Sequence, residues 1–78
     1  MNKTYETDLI IKRIRSFCNE ELTPYRISKN SGMHPSTLNN ILNGTFKDIR
    51  LSTLINICNG LDISLMEFFN DDLFTKKR

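Results

Sequence analysis

In the stretch HPSTLNNILNG, His34 to Gly44, four small polar residues recur at helical spacing: Ser36, Asn39, Asn40 and Asn43, at i, i+3, i+4 and i+7. Residues so spaced share one face of a helix. Asn is a poor choice for helix stability, giving up as much as roughly 0.7 kcal/mol against Ala at each position. Its amide has a different use. It donates and accepts at once, so it can bond adenine N6 and N7 together in the major groove of DNA, and a good pair of this kind discriminates between bases by about 1–3 kcal/mol. The same stripe also fits an ordinary solvated face, and the residue types alone leave both readings open.

Other chemistries have less support. His34 is the only histidine, and Cys18 and Cys58 are the only cysteines. Neither their spacing nor the surrounding acids make a metal-ligand set. No carboxylate pair accompanies His34, and no Gly-rich loop could cradle a phosphate, so no enzyme activity, cofactor or metal is expected. Both cysteines sit in apolar-patterned segments and read as small core residues of a reducing compartment.

The charges are few in sum and uneven in place. Residues 12–50 carry seven basic and three acidic residues, a net +4; residues 51–72 carry four acids and no Lys or Arg. The last six residues, LFTKKR, add +3. Such a chain has one candidate anion-binding side. With 78 residues, 38% of them hydrophobic, it reads as one small globular domain. No apolar run approaches the roughly 20 residues that span a bilayer. No segment near the start suits a signal peptide, so a cytoplasmic protein away from membranes is expected.

The elements that must hold the polar stripe are all helices. Helix 1 is expected over about Thr7 to Asn19, burying Ile10, Ile14, Phe17 and Cys18 with Lys12, Arg15 and Ser16 on its wet side. Helix 2 starts after Thr23 with Pro24 at N1 and ends near Ser31, where Gly32 can take the positive φ of a helix exit. Helix 3 runs from about Pro35 to Asn43 and stops at Gly44. Helix 4 covers about Leu51 to Leu61, with Leu54, Ile57, Cys58 and Leu61 in the core. Helix 5 follows Ser64, whose Glu67 three residues on makes a capping box, and reaches about Asn70. With caps at Thr23, His34, Arg50 and Ser64, the residues at N′ and N4 are Leu22/Ile27, Met33/Leu38, Ile49/Leu54 and Ile63/Phe68. All four are apolar staples, which fixes the helix starts. Residues 71–78 are left as a tail.

The short break Gly32-Met33-His34, with the small Ser28 one turn before it, has the character of a helix-turn-helix. Here the segment LTPYRISKNSGMHPSTLNNILNG, followed by LSTLINICNGLDISLMEFF, resembles the Cro/repressor-type (XRE-like) helix-turn-helix family. Ile27 and Ser28 stand at the family's Leu-Ala pair, Gly32 at its turn Gly, Leu38 and Ile41 at the buried positions of the recognition helix, and Gly44 at its terminating Gly. Pro24 stands where the family often has Gln, His34 where Ser is common, and Ile49 where Pro often precedes helix 4. The resemblance implies a compact five-helix, all-α, lambda-repressor-like domain over residues 1–78, with the helix-turn-helix at about 23–43. It implies a sequence-specific double-stranded DNA-binding regulator that reads the major groove with helix 3.

In that frame Ser36, Thr37, Asn39, Asn40 and His34 are the expected base readers. Thr23, Asn43, Lys47 and Arg50 are the expected phosphate contacts, Arg50 being helped by the free N–H groups at the start of helix 4. Tyr25, Arg26 and Lys29 on helix 2 are open between phosphate contact and simple exposure. Leu65, Met66, Phe68 and Phe69 offer more apolar surface than one face of a short helix can bury, and Leu73 and Phe74 lie beyond. Of these, Leu65, Phe69, Leu73 and Phe74 are expected to form a dimer or partner surface, unless the tail folds back over the core. A homodimer would read a near-palindromic operator, its recognition helices about one DNA turn, roughly 34–36 Å, apart. Repressor is the leading function. An antitoxin that also autoregulates, bound to a toxin or another regulatory protein, is the alternative, and a protein-interaction module without DNA binding is the third.

Overall fold

A computed structural model describes residues 3–46 and 48–75. Its elements are six helices: α1 Lys3–Ser16, α2 Pro24–Asn30, α3 Pro35–Leu42, α4 Leu51–Leu61, α5 Leu65–Phe69 and α6 Asp72–Thr75. The all-α architecture with five principal helices is as expected. The additional α6 forms from residues expected to be tail.

All four caps lie where the staples put them. Thr23 Oγ1 accepts from Arg26 N–H at 3.2 Å. The Ser64 hydroxyl accepts from Glu67 N–H, and Glu67 Oε1 accepts from Ser64 N–H, each at 3.1 Å. Arg50 caps α4 by backbone position alone. The N4 partners Ile27, Leu38, Leu54 and Phe68 are buried, and Leu22, Met33, Ile49 and Ile63 pack half-buried against the core that those four help to form. A staple thus contributes core as well as direction.

Helix α1 differs from expectation. It begins at Lys3 and ends at Ser16, and its buried residues are Thr7, Leu9, Ile11 and Ile14. Ile10, Phe17 and Cys18 are only half-buried. The cause is a second neighbour, since α1 packs on α3 and also on α6. Its covered arc is therefore wider than one amphipathic stripe. After Ser16 the chain turns at Asn19, whose Oδ1 accepts from the N–H groups of Glu21 and Leu22 at 2.8 and 2.7 Å.

The tail folds back. Phe74 lies edge-on to Phe69, centroids 4.9 Å apart, and tilted against the fully buried Phe68 at 6.2 Å. Arg13 holds it there. Its Nε and Nη2 donate to the carbonyls of Phe68 and Glu67 at 2.7 and 3.0 Å, and its Nη1 meets Asp71 Oδ2 at 3.1 Å. The guanidinium also lies 4.4 Å from the centre of the Phe17 ring.

One glycine is set by close approach. Gly60 is buried inside α4, and a Cβ there would overlap Ser31 Oγ and lie 3.0 Å from Ile27 O and Ser31 N. This bare spot lets the end of α2 sit directly on α4.

Candidate nucleic-acid interface

The two helices of the motif are joined through Ser31–His34. Gly32 takes φ +71°, Gly32 N–H donates to Lys29 O, and Met33 N–H reaches Ser28 O at 3.0 Å. These bonds satisfy the last carbonyls of α2. Ser28 is fully buried and donates its hydroxyl to Tyr25 O at 2.6 Å, so a polar side chain occupies the helix contact without an unpaired group.

His34 caps α3. Its Nδ1 accepts from Ser36 N–H at 3.1 Å and lies 2.8 Å from Ser36 Oγ. Pro35 follows at N1, where a missing N–H loses no bond. The capping ring atom is thereby committed, and Nε2 has no partner among the described residues. Leu38, Ile41 and Leu42 are buried beneath the helix. Ser36, Asn39, Asn40 and Asn43 are exposed, and Thr37 is half-buried. The structure therefore brings the polar stripe to one outward face about 12 Å long, from the 1.5 Å rise of a helical residue. Asn43 is the C-cap, at the far end from His34. That end is closed by Gly44 at φ +77°, with Gly44 N–H donating to Ile41 O and Thr45 N–H to Asn40 O.

Of the residues expected at phosphate, Arg50 is exposed and its side chain takes no part in capping α4. Thr23 is exposed with its oxygen engaged as a cap, which leaves its hydroxyl proton able to donate. Lys47 lies outside the described residues, as do Lys76, Lys77 and Arg78. Tyr25, Arg26 and Lys29 are exposed, with the Lys29 ammonium 5.7 Å from the Tyr25 ring centre. Glu20 and Glu21 line the same hollow as Thr23, Arg26 and Lys29, which weakens the positive potential there. The only ion pair among the described residues is Arg13–Asp71, so Arg26, Lys29 and Arg50 keep their charge unneutralised at contact distance.

Two basic residues of α1 make contacts to other helices. Arg15 is exposed, as expected, and its Nη2 donates to Leu42 O at 3.1 Å. Arg13 belongs to the clamp on α5 and α6. Two of the seven basic residues of the 12–50 region thus have structural work to do, and spacing alone gave no sign of it. Phe46 was missed. It is 42% exposed and lines a groove with Thr37, Ile41, Asp48, Ile49, Arg50 and Thr53. Its sequence signal is an aromatic ring flanked by the polar Thr45 and Lys47.

Of the four apolar residues given a dimer or partner role, Leu65 and Phe74 pack half-buried on the core, and Leu73 is half-buried. Phe69 is 37% exposed, and the residue that projects furthest is Met66, at 83%. Cys18 and Cys58 are free thiols. Burial pushes both upward in pKa, with Arg15 pulling Cys18 part of the way back. No group of three or more metal-ligating side chains gathers among the described residues, and none of the described helices is long and apolar enough to cross a membrane.

Comparison with family models matches residues 14–72 to the Cro/C1-type helix-turn-helix DNA-binding domain. Comparisons with curated proteins and with solved structures return no match.

Proposed function

This chain belongs to the Cro/C1-type helix-turn-helix DNA-binding family, a DNA-binding transcription regulator, and from that premise we propose that it is a repressor that occupies a specific operator. The observation that carries the reading is the two-sided character of α3. Leu38, Ile41 and Leu42 are buried while Ser36, Asn39, Asn40 and Asn43 face outward, with no acid and no bulky apolar residue on that face. A module that had lost DNA binding would have no reason to keep it so. In this reading Ser36, Thr37, Asn39 and Asn40 contact base edges. His34 caps the helix through Nδ1 and presents Nε2 to a base or phosphate. Thr23, Asn43, Lys47 and Arg50 hold the backbone, with Arg50 beside the free N–H groups that open α4.

Exposed Met66 and Phe69 on α5 support association through that helix. The second copy of this chain is the partner proposed, and it would make the operator near-palindromic. A toxin covering the same surface is the alternative. Selection from a random duplex library tests the proposal. A repressor dimer enriches one motif with two related half-sites about one turn apart. No enriched motif refutes it, and a single half-site refutes the dimer.

A further inference from the structure

We propose that Arg15 is a positioning residue that fixes the recognition helix from behind; this rests on the DNA-reading function above. Helix α3 has only eight residues, and the apolar contacts beneath it are non-directional. At its C-terminal end the carbonyls of Asn39, Asn40 and Ile41 accept from the N–H groups of Asn43, Thr45 and Gly44. The Leu42 carbonyl lies beyond that set, and the Arg15 guanidinium takes it from α1 at 3.1 Å. Among the described residues this is the only hydrogen bond that another helix's side chain makes to α3. A cation at the last carbonyls also meets the negative end of the helix dipole. Since Ile11 and Ile14 anchor α1 in the core, the bond ties α3's end to a fixed frame. It limits rotation about the α3 axis, the motion that would move Asn39, Asn40 and Asn43 off their base edges and phosphates.

Two variants separate this role from its rivals. Arg15→Met keeps the apolar stem and loses the donor, and Arg15→Lys keeps a charged donor of nearly the same reach. Without DNA, hydrogen exchange of the Asn43, Gly44 and Thr45 amides should quicken roughly tenfold in Arg15→Met and return most of the way in Arg15→Lys, the size expected for one charge-assisted bond. With DNA, Arg15→Met should lose about tenfold in affinity for the selected motif, keep its affinity for unrelated duplex, and keep the wild-type salt slope. If affinity for all duplexes falls together and the slope drops by about one, Arg15 is a phosphate contact and the proposal is wrong. Unchanged exchange, or an unchanged ratio of specific to non-specific affinity, also overturns it. Should the wild type itself select no sequence, the DNA reading fails, while the exchange result still decides whether Arg15 holds α3.

Discussion

Replacing Arg13 by Ala removes two bonds to backbone carbonyls, at 2.7 and 3.0 Å, and one ion pair. Hydrogen bonds from a charged group are worth about 1.5–3 kcal/mol each. These share one side chain and are not additive, so the expected loss is about 2–4 kcal/mol. A domain of this length has about 4–12 kcal/mol in all. The melting temperature should then fall by roughly 8–32 °C, at about 4–8 °C per kcal/mol. Asp71→Asn should behave differently. Asp71 is 34% exposed in its side chain, a partly exposed ion pair is worth roughly 0.2–1 kcal/mol, and Asn can still accept from Leu73 N–H through Oδ1. Arg13→Lys should recover less than half of the loss, because one ammonium cannot reproduce a planar fork on three acceptors. Urea unfolding followed by far-ultraviolet circular dichroism measures all three variants. If Asp71→Asn costs as much as Arg13→Ala, the clamp works through charge and the reasoning from carbonyls is refuted.

Three other outcomes follow from the packing and the thiol environment. Gly60→Ala should destabilise by about 1–2 kcal/mol in the same unfolding assay: overpacking costs roughly 1–3 kcal/mol, more than the roughly 1 kcal/mol of helix propensity gained, and Ser31→Ala should relieve part of it. Asp62, at φ 61° and ψ 42° as the C-cap of α4, should stabilise when changed to Gly by about 0.5–1 kcal/mol, raising the melting temperature by several degrees, since Gly removes the left-handed penalty and an anion from the helix C-terminus. Alkylation at pH 8 should label Cys58 far more slowly in the folded protein than in urea: burial raises its pKa and so lowers the thiolate fraction, and the residue is only 2% exposed.

Most of the helix starts could be read in the sequence because a staple marks each of them within six residues, and at Thr23 and Ser64 a cap residue marks it a second time. Local chemistry of that kind survives whatever the chain packs against. The phase of α1 could not be read, because its covered arc depends on α6, and α6 lies some sixty residues away. Arg13 and Arg15 were illegible for the same reason: a basic residue at a helix end looks alike whether its partner is a carbonyl of another helix or a phosphate. Gly60 fits a helix interior poorly and carried a visible signal, but only the approach of Ser31 explains it. On α3 the apolar spacing and the two glycines were enough to place the asparagines outward.

The most direct measurement of the central claim is motif selection repeated with Asn39→Ala and Asn40→Ala beside Arg50→Ala, at two salt concentrations. The Asn variants should lose preference at one or two base positions, by about 1–3 kcal/mol each, with an unchanged salt slope. Arg50→Ala should weaken binding to every sequence and lower the slope by about one. If the Asn variants select the wild-type motif with undiminished preference, α3 does not read bases through its asparagines.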